Sequence, residues 1–238
     1  MSMRLLVSVR TVDEARLAAA HGADFIDLKE PRDGALGGLP PATVRAIVQA
    51  LRAQGCALPL SATIGDLPMT EVATIVQRCM ALCSCGVDYV KVGVEPGRGA
   101  AAVLDALAGT AWPAAAIVPV FIADRGIDFA LVARARGFPA LMVDTADKVG
   151  GSLFERVALA DLQRFVHEAR TCGALAGLAG ALRLQHLPAL AALGPDFAGF
   201  RSAVCAGSRG SALDARRVRE LASRLRAHDV ASHARAEA

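Results

Sequence analysis

Short apolar runs of β type alternate with amphipathic helical stretches along the whole chain, and the alternation repeats eight times. The expected strands are Arg4–Val9, Phe25–Lys29, Leu58–Ile64, Tyr89–Val94, Ile117–Ile122, Leu141–Asp144, Ala174–Leu178 and Gly199–Val204. The expected helices are Val12–His21, Pro41–Gln54, Thr70–Cys85, Ala100–Ala108, Asp128–Arg136, Leu153–Thr171, Gln185–Ala192 and Asp214–Arg226. Thr11 and Thr70 stand where N-caps belong. Gly22, Gly55, Gly86 and Gly137 follow helices, where a left-handed residue is wanted. Eight β-α pairs in 238 residues fit one α/β architecture, a single-domain (β/α)8 TIM barrel, which usually takes roughly 250 residues. The rival, a doubly wound open sheet, wants a glycine-rich turn after its first strand, and Ser8-Val9-Arg10-Thr11 has no glycine. The barrel is expected over residues 1–226, with 227–238 as a flexible Ala/His/Arg/Glu-rich tail.

Composition narrows the class of partner. With 54% hydrophobic and 21% charged residues the chain can bury a core and is not disordered. A net charge of +3, with acidic and basic residues interspersed, leaves no nucleic-acid footprint. The longest apolar stretch, Trp112–Ala123, carries two prolines and reads as a buried strand, so no membrane association is expected. Met1–Val9 lacks the cleavage site of a secretory signal, which points to the cytoplasm and to reduced cysteines. Cys79 and Cys83 are spaced i, i+4 in an apolar helix pattern and read as core packing, so no metal and no cofactor is expected. The alanine-rich helices are compatible with a homo-oligomer.

A barrel places its active site at the C-terminal ends of its strands. The basic residues there are unusual. Of 26 lysines and arginines only three are lysines, Lys29, Lys91 and Lys148. Arginine has taken over the generic surface role, whereas a lysine can lose its proton and act as nucleophile or base. Lys29 ends the second strand, Lys91 lies in the fourth and Lys148 follows the sixth. Alternate strands feed the same interior layer, so the three ammonium groups are expected to converge. Asp27 shares a strand face with Lys29, and Asp144 precedes Lys148 by four residues. Lysines and carboxylates tuned against one another suit a Schiff-base lysine with a second lysine moving protons. Asp66 and Asp124 are further candidates, equally readable as loop or capping residues.

Barrel enzymes often hold phosphate at the loops after strands seven and eight. Gly177–Leu182 and Gly199–Cys205 occupy those places, and small residues such as Gly180 let backbone N–H groups approach an anion. Arg201 and Ser202 are the expected side-chain ligands there. The Ser208-Arg209-Gly210-Ser211 loop reads as closing over the site or as a plain polar loop. The glycine-rich stretch Glu30–Gly38 reads as a lid. No histidine stands at a strand end, and no serine elbow appears, which argues against a hydrolase triad.

The sequence resembles the (5-formylfuran-3-yl)methyl phosphate synthase family. The resemblance runs from about Met3 to about Arg226 and is carried by Leu5–Val9, Gly22–Pro31 with Gly34–Gly37, Tyr89–Gly93, Asp144–Lys148 and Arg201–Cys205. It implies that two glyceraldehyde 3-phosphate molecules condense to a phosphorylated furan aldehyde, with release of phosphate and water, for methanofuran-type one-carbon carriers. It implies that Lys29 forms the Schiff base, Lys91 transfers protons, and Asp27, Asp144 and Lys148 assist. Two other kinds of protein fit the same residues. One is a lysine-dependent barrel of the class I aldolase or orotidine-phosphate-decarboxylase type. The other is a non-catalytic barrel that binds a phosphorylated metabolite.

Overall fold

The computed structural model describes residues 3–34, 36–147 and 150–236, with backbone alone for 228–236. Eight parallel strands close into a barrel in sequence order: β1 Arg4–Val9, β2 Phe25–Leu28, β3 Leu60–Thr63, β4 Tyr89–Val94, β5 Ala116–Ile122, β6 Ala140–Asp144, β7 Leu175–Leu178 and β8 Phe197–Phe200. Helices follow the strands on the outside: α1 Val12–Ala20, α2 Pro41–Arg52, α3 Val72–Cys83, α4 Ala100–Gly109, α5 Phe129–Arg134, α6 Leu153–Arg156, α7 Leu159–Thr171, α8 Leu187–Leu193 and α9 Ala215–Ala236. The (β/α)8 barrel is therefore as the periodicity dictates.

The strand period of two sorts side chains into two cores. Val7, Val9, Ile26, Leu28, Val90 and Val92 pack outward in the shell between barrel and helices. Leu6, Val118, Val120, Met142 and Phe197 pack inward in a separate cluster. Asp27 and Lys91 share the inward parity, so the barrel interior changes from apolar to ionic toward its C-terminal end.

A sequence device repeats around the barrel that periodicity alone does not show. Gly-x-Asp precedes β2, β4 and β8, as Gly22-Ala23-Asp24, Gly86-Val87-Asp88 and Gly194-Pro195-Asp196. Each aspartate accepts a backbone N–H of the preceding strand: Asp24 from Leu5 at 2.7 Å, Asp88 from Leu60 at 2.7 Å and Asp196 from Ala176 at 2.8 Å. The charge-assisted bonds satisfy N–H groups near the starts of β1, β3 and β7 and fix how those strands seat against their neighbours.

Four local expectations change. The eighth strand was expected over Gly199–Val204 and instead spans Phe197–Phe200, with a single 3-10 turn at Ser202–Val204. The backbone leaves the strand at Arg201, whose φ of −134° and ψ of −64° are not extended. The long helix expected over Leu153–Thr171 is two helices, because Val157 and Ala158 are extended and leave Leu159 at 53% exposure. Thr70 does not cap α3: a turn in which Glu71 N–H donates to Pro68 O delays the helix to Val72. The last helix continues through Ala236, past Arg226 where the helix is expected to end. By contrast, Thr11 Oγ1 does accept the Glu14 N–H, and Gly22, Gly55, Gly86 and Gly137 all have positive φ. No helix among the described residues is long and apolar enough to cross a membrane.

Candidate active site

Asp27 is the hub. Its strand pairs with β1 and β3 so that Ser8, Asp27 and Ser61 are register partners across three adjacent strands. Asp27 is wholly buried, and both of its carboxylate oxygens accept hydrogen bonds. Oδ1 accepts from Ser61 Oγ at 2.7 Å and from Lys91 Nζ at 2.7 Å. Oδ2 accepts from Ser8 Oγ at 3.2 Å and faces Lys29 Nζ at 4.0 Å. Burial pushes the Asp27 carboxyl up, but the Lys91 and Lys29 ammonium groups and the bonds from Lys91 and Ser61 outweigh it and hold it below the usual carboxylate range.

The two lysines differ in burial. Lys91 is enclosed, and burial drives its amine below the ordinary lysine range. Asp27 opposes that shift, Lys29 adds to it by like-charge repulsion, and Asp144 opposes it. Lys29 keeps 9% of its side chain exposed, and its Nζ lies between Asp27 at 4.0 Å and Asp144 Oδ2 at 3.9 Å. Strands two, four and six thus deliver Lys29, Lys91 and Asp144 to one cavity of about 30 Å³. Lys148, the third expected lysine, lies outside the described residues.

The loop after β2 folds into the barrel mouth. Leu36 is 1% exposed and joins the inner apolar cluster. It comes so close to β4 that a Cβ on Gly93 would meet Leu36 Cδ1 at 2.8 Å, so a larger residue there would push the leucine aside. Thr63 Oγ1 donates to Gly37 O at 2.9 Å, and Leu36 N–H donates to Asp66 Oδ1 at 3.2 Å. Asp66 is therefore a loop anchor. Asp124 is another: it accepts from the Ala146 and Asp147 N–H groups at 2.5 and 3.0 Å and faces Arg156 at 3.6 Å, which fixes the loop after β6.

Of the residues expected to hold an anion, Gly180 and Ser202 line the cavity with the lysines. Gly180 has a φ of +120°, and Ala181 beside it is also left-handed at +46°. A Cβ on Gly180 would meet Thr145 Oγ1 at 2.9 Å, so only glycine fits. Arg201 borders the cavity but does not fit its expected role as an anion ligand. Its Nε donates to Arg209 O, its Nη1 to Ser8 O and Glu14, and its Nη2 to Glu14 and Ser211 O. All five N–H donors of the guanidinium are engaged inside the protein. Arg201 is a scaffold cation that ties α1, the end of β1 and the loop after β8 together.

Sequence reasoning missed Ser8, Ser61, Glu14 and the plug role of Leu36. The register of Ser8 and Ser61 with Asp27 is the signal that finds the two serines. Arg209, read only as part of a loop, lines the cavity. Cys79 is buried in α3, and burial pushes its thiol up to about 12, as suits a packing residue.

A lysine amine at a cavity wall, a second amine of lowered basicity and two carboxylates form a set suited to reversible carbonyl chemistry. Comparison with known proteins gives the family. The family model described as 4-HFC-P synthase matches residues 5–222. A protein of Methylorubrum extorquens is 42% identical over 226 residues, covering 94% of this chain and 92% of the relative. The (5-formylfuran-3-yl)methyl phosphate synthases of Archaeoglobus fulgidus and Methanocaldococcus jannaschii are 33% and 32% identical, each over 94% of this chain and 97% and 98% of their own. Among solved structures, phosphoribosyl anthranilate isomerase of Thermus thermophilus superposes with a TM-score of 0.67 at 18% identity, covering 94% of this chain and 99% of its own. That likeness concerns the fold alone.

Proposed function

The chain belongs to the 4-HFC-P synthase family, and on that premise we propose that it condenses two molecules of glyceraldehyde 3-phosphate into (5-formylfuran-3-yl)methyl phosphate. One phosphate and two waters leave, so atoms balance. The product suits the furan of methanofuran-type carriers. The observation that carries this reading is the placement of Lys29 Nζ at the cavity wall, 3.9 and 4.0 Å from two carboxylates, with Lys91 enclosed beside it.

In this reading the Lys29 amine adds to the aldehyde of the first triose and expels water, which gives an iminium as electron sink. Lys91, its basicity lowered by burial, takes the proton from the adjacent carbon. The electron pair expels the phosphate; the second triose isomerises from aldehyde to ketone by proton transfer between its first two carbons, and the enol carbon of the first adds to that ketone, which sets the branched ring carbon that carries the phosphate arm. Ring closure, loss of water and hydrolysis of the imine release the furan and regenerate Lys29. Asp27 holds Lys91 in place and stays ionised, while Asp144 stabilises positive charge as it moves onto Lys29. Gly180 and Ser202 place backbone and hydroxyl donors at the phosphate end of the cavity.

The test is product identity. Glyceraldehyde 3-phosphate incubated with the protein is followed by ultraviolet absorbance and by NMR. The expected result is furan ring protons and one phosphate released per furan. An open-chain aldol product assigns the protein to the aldolases instead, and no product from the triose phosphate rejects the reading.

A further inference from the structure

We propose that Arg209, on the loop after β8, is the side chain that grips the phosphate of a phosphate-monoester substrate in the cavity of Lys29. The triose in this statement rests on the proposed function; the phosphate contact does not.

Three observations carry it. Arg209 lines the same cavity as Lys29, Lys91, Asp27 and Asp144. Among the described residues, Lys29, Lys91 and Arg209 share the lining with Asp27 and Asp144, and Asp66 also acts on Arg209, whereas Arg201 is paired with Glu14 at 2.6 Å. The two arginines also differ in their donors. The saturated Arg201 spends two of its bonds on holding the loop, through Arg209 O at 2.9 Å and Ser211 O at 2.7 Å. The Arg209 guanidinium, among the described residues, donates to Gly34 O at 3.2 Å. Arg209 lines the cavity, and a planar guanidinium fork matches two phosphate oxygens. The buried Arg201 thus positions the loop, and the half-buried Arg209 meets the ligand. The bond to Gly34 also links the loops after β8 and β2 across the barrel mouth.

Glycerol 3-phosphate is the probe, because it has the phosphate and carbon skeleton of a triose phosphate but no carbonyl to trap on a lysine. Its binding is measured by calorimetry on the intact protein and on Arg209→Gln, Arg209→Lys and Arg32→Gln. Arg32 is exposed and reaches Gly210 O of the same loop at 3.5 Å, so it controls for general charge. Loss of a charged hydrogen-bonding pair weakens binding by about 10- to 100-fold. That loss is expected for Arg209→Gln, with partial recovery in Arg209→Lys and no change in Arg32→Gln. KM for glyceraldehyde 3-phosphate rises in Arg209→Gln by more than kcat falls, at an unfolding temperature matching the parent. Equal binding by Arg209→Gln and the parent overturns the proposal, as does equal weakening in Arg32→Gln. If the parent binds glycerol 3-phosphate through Arg209 but forms no furan, the proposed reaction fails and this contact stands. If furan forms with the same KM in parent and Arg209→Gln, this contact fails and the reaction stands.

Discussion

Lys91 Nζ lies 2.7 Å from Asp27 Oδ1 in a wholly buried pair, and Lys29 approaches the other oxygen of the same carboxylate at 4.0 Å. One carboxylate thus serves two amines of unequal exposure. Removing it takes the 2.7 Å counter-charge from Lys91, while Lys29 keeps Asp144 at 3.9 Å.

Asp27→Asn leaves Lys91 buried without its counter-charge, a change that typically costs about 3–5 kcal/mol. The sign of its pH dependence follows from linkage. Lys91 in the folded variant holds its proton less tightly than an unfolded lysine, so the unfolded chain binds more protons over the alkaline range. The deficit is therefore largest at neutral pH and shrinks as pH rises toward the ordinary lysine range. Urea unfolding of parent and variant at neutral and alkaline pH measures it, and a deficit that grows with pH contradicts the assignment.

Catalytic rate carries the same signature. Burial lowers the Lys91 amine, so its neutral form gains population as pH rises through a value below the 10.5 of a free lysine. The kcat of the parent rises along that limb. Lys91→Gln loses the limb and most of the rate, by about 10²–10⁴-fold for a general base. Asp27 sits below the usual carboxylate range and adds no ionisation near neutrality.

Leu36→Ala empties the plug at the barrel mouth. The side chain is 1% exposed, and large-to-small changes at such sites cost about 2–5 kcal/mol. A thermal unfolding shift measures this cost. A value near zero means that the loop after β2 stands off the barrel in solution.

Gly180→Ala puts a side chain at a φ of +120° and against Thr145 Oγ1 at 2.9 Å. Strain of this kind costs about 1–3 kcal/mol. Because the turn lines the cavity, KM for the phosphorylated substrate is expected to rise as well. Unchanged KM places the phosphate elsewhere.

The fold was legible because burial repeats with a period: outward strand residues such as Val90 and Val92 and the inward Lys91 alternate on one strand. The pairing of Asp27 with Lys29 was legible for the same reason, since i and i+2 share a face. The approach of Lys29 to Asp144 joins the ends of β2 and β6 across the closed barrel, and the sequence reading relates Asp144 only to Lys148. Arg201 misled because residue type alone suggested an anion ligand. Its partner, Glu14, lies 187 residues away on α1, and no local pattern announces that pair. The same pinning ends β8 at Phe200, where the apolar Ser-Ala-Val-Cys run reads as more strand. Leu36 escaped notice because a leucine in a glycine-rich loop reads as lid, and its burial needs the space left by Gly93.

The central claim is that Lys29, and not Lys91, forms the covalent imine. Borohydride reduction of the protein incubated with glyceraldehyde 3-phosphate, followed by peptide mass spectrometry, tests it directly. The account predicts a reduced triose-derived adduct on the peptide containing Lys29, retained in Lys91→Gln and absent in Lys29→Arg, with furan formation lost in both. An adduct on Lys91, or furan formation at full rate in Lys29→Arg with no adduct, contradicts it.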